Sequence, residues 1–346
     1  MPLLKAIAIT LVTLMATALH AQSLPQIDAT PYHRCGGVDR PCLTPNGQYH
    51  IILPQGEGPF PAILYFHGTG GSGERVMTTF DNILVWPAID EGYAVIAPTG
   101  QMSDFLDQTD NFRPIRTLGW AEGNEGETRN DSNFVREVLN DVAFTFPIDE
   151  SRILTAGLSD GGEFAWYLAC SDTDRRLRHF APVAGTLSPA DEQVRSRSRS
   201  DTLRVCQNSR HAFHLFHTHG RNDRVVPYSG AAASRIRGTA GVEDSVQTIL
   251  DGRGCRSTDS ATESGLDITR WTGCIAGQSY AIALHDGGHY IPRDWVKTVT
   301  AWHRERLAAS GPAGPNRLTT VGDRSAFGGG GALNRGSARA NSTTGE

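Results

Sequence analysis

Short unbroken apolar runs alternate along this chain with longer stretches whose apolar positions recur every three or four residues. The runs are 62–66 (AILYF), 93–97 (YAVIA), 153–156 (ILTA), a segment within 211–219, and 280–284 (YAIAL). The first three stop at His67-Gly68, Pro98 and Gly157. Apolar residues on successive positions leave no polar face, so such runs read as strands buried on both sides. A further strand is expected over 48–53 (QYHIIL), followed by a turn over 54–61. Between the runs, 133–146 places Phe134, Val135, Val138, Leu139, Val142 and Phe146 on one helical stripe. Residues 162–169 read as a short amphipathic helix and 295–307 as a terminal one. Strands alternating with helices predict an α/β fold, a doubly wound, mostly parallel sheet with helices on both faces.

Three stretches break this pattern. Residues 101–129 are polar, contain glycine and lack a clear period, as expected of a long substrate-binding excursion. From Ala309 onward Gly, Ser, Ala, Asn and Arg dominate, and such a tail buries too little apolar surface to order itself. At the other end, Lys5 precedes an apolar stretch over 6–19 that is too short to span a bilayer, and Leu19-His20-Ala21 offers a cleavage site. The expected organisation is a signal peptide over 1–21, a catalytic domain over 22–308 and a disordered tail over 309–346. The expected location is the periplasm or the medium, with no stable membrane anchor.

Composition narrows the classes. Of 346 residues 39% are hydrophobic and 20% charged, with a formal net charge of -5, which is globular and carries no basic footprint for nucleic acid. Six cysteines in an exported chain predict disulfides. Closeness along the chain pairs Cys35 with Cys42 and Cys255 with Cys274, leaving Cys170 with Cys206. None of the spacings is that of a structural zinc knuckle. His211, His214, His217 and His219 cluster on one strand, where His217 and His219 share a face and His214 points the other way. With no further ligand evident, they read as packed or hydrogen-bonded histidines, and no metal or organic cofactor is expected.

Gly157-Leu158-Ser159-Asp160-Gly161 matches G-x-S-x-G between a buried strand and a helix, the setting of a nucleophile elbow. Ser159 is the expected nucleophile, with the acid and then the histidine following in the chain. Asp223 lies just past the fourth apolar run and is the expected acid; His289, in Asp286-Gly287-Gly288-His289 after the fifth, is the expected base. Neutral His289 takes the serine proton and returns it to the leaving group, while Asp223 fixes the tautomer. The oxyanion hole is expected from the backbone N–H groups of Asp160 and Thr69, the latter in the glycine-rich loop after 62–66. That loop lacks the G-K-[ST] ending of a phosphate loop. Trp120, Trp271, Tyr290 and Trp295 are candidates for an aromatic-lined cleft, with Trp120 and Tyr290 the expected substrate-binding residues.

Several motifs in order carry a family resemblance: GQYHIILP, YFHGTGGSG, IDESRILTAGLSDGG, APVAGTL, HGRNDRVVPYSG, WTGC and GGHYIP, from Gly47 to Trp302. With them the chain resembles the secreted esterase/polyhydroxybutyrate depolymerase family of α/β-hydrolases, which includes feruloyl and acetyl xylan esterases. The resemblance implies the α/β-hydrolase fold and puts nucleophile, acid and histidine on Ser159, Asp223 and His289, and the oxyanion loop on His67-Gly68-Thr69. It also implies a disulfide through Cys255 and Cys274. Two departures stand out: Asp160 occupies a position that is often Asn, and Tyr290-Ile291-Pro292 replaces Thr-Trp-Pro. The function expected first is hydrolysis of hydroxyalkanoate esters or oligomers through an acyl-serine. The alternatives are a feruloyl or acetyl xylan esterase, a peptidase or amidase on the same fold, and a non-catalytic binding protein.

Overall fold

The computed structural model describes residues 35–107, 113–120, 129–171, 174–187, 202–209, 211–230 and 240–309. The signal peptide expected over 1–21 lies outside the described residues, as does the tail after Ala309. The strands are β1 (Cys42–Thr44), β2 (Gly47–Ile52), β3 (Phe60–Phe66), β4 (Ala94–Pro98), β5 (Gln101–Asp107), β6 (Arg113–Gly119), β7 (Ile148–Leu158), β8 (His179–Val183), β9 (His214–Gly220), β10 (Ser257–Glu263), β11 (Leu266–Thr272) and β12 (Tyr280–His285). The α-helices are α1 (Gly73–Thr79), α2 (Trp86–Asp90), α3 (Asp131–Thr145), α4 (Asp160–Ser171), α5 (Thr202–Asn208), α6 (Val242–Leu250) and α7 (Trp295–Ala309).

The apolar runs form the middle of a ten-stranded sheet ordered β1-β2-β4-β3-β7-β8-β9-β12-β11-β10. From β4 to β12 neighbours run parallel, and antiparallel strands close both edges. Alternation within each run supplies both faces. Ala62, Leu64 and Phe66 pack with α3, α4 and α6, whereas Ile63 and Tyr65 pack with α1, α2 and α7. The fold is that of an α/β-hydrolase. From β3 the chain steps to β4 on one side and returns to β7 on the other, so the order of strand addition reverses between β3 and β7, which remain parallel. In open parallel sheets, such a reversal opens a crevice at the carboxyl ends of the strands.

Six of these twelve strands, β1, β5, β6, β8, β10 and β11, have no counterpart among the expected runs. Every residue of β10 is exposed, and it is ordered by its ladder with β11 rather than by a buried face. The excursion over 101–129 begins as a hairpin, β5 pairing with β6 from Gln101↔Gly119 to Asp107↔Arg113. Both ends of that excursion are tied by Arg129, which no sequence pattern singled out. Gln101 grips the Arg129 backbone through its amide, donating to the carbonyl at 2.5 Å and accepting from the N–H at 2.8 Å. The Arg129 guanidinium reaches the Asp131 carboxylate, the carbonyls of Asn46 and Thr99, and the face of Phe134. Disulfides join Cys35 to Cys42, Cys170 to Cys206 and Cys255 to Cys274.

At the opposite edge of the sheet, where β8 and β9 begin, His179 stacks on His214 and meets His303 of α7 edge-on. Burial, with the His303 and His214 charges adding, pushes His179 down to about 2. Burial likewise lowers His214 to about 4 and His303 to about 3. In the unfolded chain these groups titrate near the ordinary value of 6.5. Below that pH the unfolded state takes up protons that the folded state refuses, so stability falls with pH. The loss starts at about pH 6.5 and approaches ~1.4 kcal/mol per pH unit for each such proton. The depressed carboxylates Asp149, Asp174 and Asp223 act in the same direction but only near and below the ordinary 3.8. The urea midpoint is therefore expected to drop steadily between pH 7 and pH 5, and a flat midpoint across that window contradicts the assignment.

Candidate active site

The site collects at the carboxyl ends of β3, β7, β9 and β12. Ser159 follows β7 directly and sits at φ +59°, a left-handed conformation that costs a non-glycine residue roughly 1–3 kcal/mol. Packing holds it there: its N–H donates to the Val183 carbonyl at 2.9 Å and its carbonyl accepts from Glu163 N–H at 2.9 Å. The flanking glycines are required by contact. A Cβ on Gly157 would strike the Gly161 carbonyl, and one on Gly161 would strike the Phe66 carbonyl. Those are backbone atoms that cannot swing aside, so only glycine lets α4 start this close to β3 and β7.

The loop after β3 runs past this elbow. A Cβ on Gly68 would lie 3.4 Å from that of Ser159. Thr69 is exposed at the tip of the turn closed by Gly71 N–H on the Gly68 carbonyl, 2.9 Å. The buried His67 ring clamps the loop from below, donating from Nδ1 to the Gly68 carbonyl at 2.8 Å and accepting Gly100 N–H at Nε2, 2.9 Å. Burial lowers its pKa, which keeps Nε2 free to accept.

The structure places Trp120 in the core, not on a cleft wall as the sequence had suggested. It is 1% exposed, its ring stacks on Phe164 and meets Phe66 edge-on, and its indole N–H donates to the His67 carbonyl at 2.8 Å. Its backbone N–H donates to Asp160 Oδ2 at 3.0 Å. The Asp160 carboxylate is thus engaged by a main-chain donor, a contact an Asn oxygen also makes. Trp295 is likewise in the core, with its indole N–H on the Thr218 hydroxyl. Tyr290 is 51% exposed and lies along its own loop, over Gly287 and against the His285 ring.

Asp223 and His289 meet across two loops. His289 Nδ1 donates to Asp223 Oδ2 at 2.7 Å, while Asp223 Oδ1 accepts the N–H groups of Val225 and Val226 at 2.8 and 2.9 Å. Burial raises the Asp223 pKa, but the His289 bond and charge and the two backbone donors outweigh it, and the carboxyl is held below its ordinary range. Three bonds zip the loops together, Arg221 N–H to the His285 carbonyl, Asn222 N–H to that of Gly287 and the Asn222 amide to that of Asp286, while Gly287 N–H on His285 Nδ1 braces the second loop itself. Gly220 allows the approach, since a Cβ there would strike the Gly287 and Gly288 carbonyls. Among the described residues, no group of three or more His, Cys, Asp or Glu is placed to hold a metal, and no helix is long and apolar enough to cross a membrane.

The comparisons with known proteins agree with this architecture. The acetyl xylan esterase (AXE1) family model matches residues 47–194, a span that contains the loop after β3 and the Ser159 elbow but neither Asp223 nor His289. Feruloyl esterase C of Emericella nidulans is 26% identical over 295 residues, covering 78% of this chain and 91% of the relative. The probable feruloyl esterase C of Aspergillus niger is 25% identical over 252 residues, 70% of this chain and 76% of the relative. Among solved structures, an S-formylglutathione hydrolase from Agrobacterium tumefaciens superposes with a TM-score of 0.51 at 16% identity, over 78% of this chain and 99% of that one. That last likeness speaks for the fold alone. Together, fold and relatives define a serine hydrolase of the carboxylic-ester class.

Proposed function

We propose that this chain is an exported esterase that releases aromatic acyl groups of the feruloyl type, through an acyl-serine intermediate on Ser159. The observation that carries the mechanism is the Asp223–His289 bond at the sheet edge that also bears the strained Ser159 elbow. Because Nδ1 of His289 is committed to Asp223, Nε2 is the ring nitrogen left to take the Ser159 proton as the hydroxyl attacks the ester carbonyl. Charge developing on the carbonyl oxygen is met by the N–H of Asp160 at the start of α4 and that of Thr69 in the clamped loop. His289 then protonates the leaving alcohol, and water repeats the cycle to free the acid.

The acyl assignment rests on relatives matched over most of their length that carry the feruloyl name. It moves the reading away from hydroxyalkanoate esters, which the sequence motifs put first. Acetyl esters of xylan are the second reading, favoured by the family model over 47–194. The test compares kcat/KM for methyl ferulate, an acetylated xylan oligomer and a 3-hydroxybutyrate oligomer, with Ser159→Ala as the blank. A hundredfold preference for ferulate, roughly 2.7 kcal/mol of differential transition-state binding, is expected. Preference for either of the others reassigns the acyl pocket. Turnover of a peptide amide alone returns the chain to the amidase reading.

A further inference from the structure

Asp223 is served by more than its histidine. His217 and His219 of β9 are both fully buried, and they stand two residues apart on one face of the sheet. His219 Nε2 lies 2.8 Å from the Val226 carbonyl and 3.5 Å from Asp223 Oδ2. His219 Nδ1 is 3.2 Å from His217 Nε2, and His217 Nδ1 is 3.3 Å from the Trp166 indole nitrogen. The two ends of this row fix every proton in it. A carbonyl only accepts, so His219 carries its hydrogen on Nε2 and offers a bare Nδ1. An indole only donates, and Trp166 shares its hydrogen between the Gly185 carbonyl at 3.1 Å and His217 Nδ1, so His217 receives at Nδ1 and gives from Nε2. The row therefore runs one way, from Trp166 through His217 and His219 to Val226, with both rings neutral and all four ring nitrogens paired. A second proton on either ring would set N–H against N–H. Burial depresses both rings, in keeping with that state.

The row ends on the turn that carries the acid. Val226 gives its N–H to Asp223 Oδ1 and its carbonyl to His219, so one residue is gripped from both sides. We propose that His219, locked as its neutral Nε2–H tautomer by His217 and Trp166, is a positioning residue that anchors the Asp223–Val226 turn and aims the carboxylate at His289. This rests on the reading of Asp223 as the acid of a serine esterase. The reverse order of protons along the row would present a bare Nε2 to the Val226 carbonyl and the Asp223 carboxylate. The turn would then be repelled, not held.

The test contrasts substitutions that keep or remove the donor at similar volume. His219→Gln places an amide N–H near the position of Nε2, whereas His219→Met fills the space without a donor. With a good ester substrate, His219→Met is expected to lose about 100-fold in kcat, the scale of a misplaced catalytic group, with KM little changed. His219→Gln should stay within a few-fold of wild type. One step back in the row, His217→Gln should retain kcat and His217→Leu should lose about tenfold, which decides the matter if His219→Met does not fold. Melting temperatures separate folding from positioning, because a purely structural role lowers them without distinguishing Gln from Met in kcat. Equal kcat for the donor-keeping and donor-lacking members of each pair overturns the proposal. Full activity in Ser159→Ala overturns the underlying esterase reading instead, and the two failures are told apart by that control.

Discussion

Replacing Ser159 with alanine is expected to abolish ester turnover, lowering kcat by a factor of about 10⁴ or more while the fold is retained. The size follows from what the hydroxyl does: without it there is no acyl intermediate, and only the oxyanion donors and substrate binding remain. Retention of fold follows from the geometry. Ser159 is fixed through its backbone, to Val183 and Glu163, and the Oγ is not part of that support. Alanine at φ +59° carries the same strain as serine, so no relief of the elbow is expected. The check is kcat on an ester, loss of labelling by a fluorophosphonate probe, and an unchanged melting temperature. Activity near that of wild type in a folded Ser159→Ala protein removes Ser159 from the mechanism.

Asp223→Asn is expected to cost about 10³–10⁴-fold in kcat with KM nearly constant. The Val225 and Val226 N–H groups hold Oδ1, so the amide oxygen of Asn will keep that side and turn its NH₂ toward His289. Two donors then face each other unless His289 moves its proton to Nε2, and in that tautomer the nitrogen needed for the Ser159 proton can no longer accept. The site stays assembled while its base is switched off. Since the carboxylate is buried and paired, its loss also removes the support of the imidazolium formed in the transition state. A pH–rate profile should show the loss persisting across neutral pH, with partial recovery in alkali as hydroxide takes the Ser159 proton in place of the ring. A fall of only a few-fold at neutral pH would place the acid elsewhere.

Much of the architecture was legible in local pattern, because burial on both faces leaves a strand no polar positions. The runs at 62–66, 153–156 and 280–284 became β3, β7 and β12, and the helix stripe on 133–146 became α3, begun two residues earlier by the Asn130 cap on Asn133 N–H. What failed were strands stabilised by their ladders. β10 buries nothing, and β8 (HFAPV) is broken by His and Pro in sequence although every residue is buried in the sheet. Chemistry divided in the same way. Ser159, Asp223 and His289 each stand after an apolar run, and turn composition marks such places. Their common edge depends on β7, β8, β9 and β12 lying side by side, a matter of strand order that no window of the chain contains.

The sequence by itself determined the strand and helix periods, the glycine-flanked elbow and the residue types at the strand ends, because these follow from interactions within a few positions. Only the tertiary structure decided which atoms face one another. It buried Trp120 against Phe164 and put the Asp160 carboxylate on a backbone donor. It also set the proton on the ring nitrogens of His67, His217 and His219 through the groups packed against them, Gly100 and Trp166 distant along the chain and Val226 near it. A histidine in a string of letters has two tautomers and a charge to choose from, and the choice is made by the donor or acceptor that packing brings to each nitrogen.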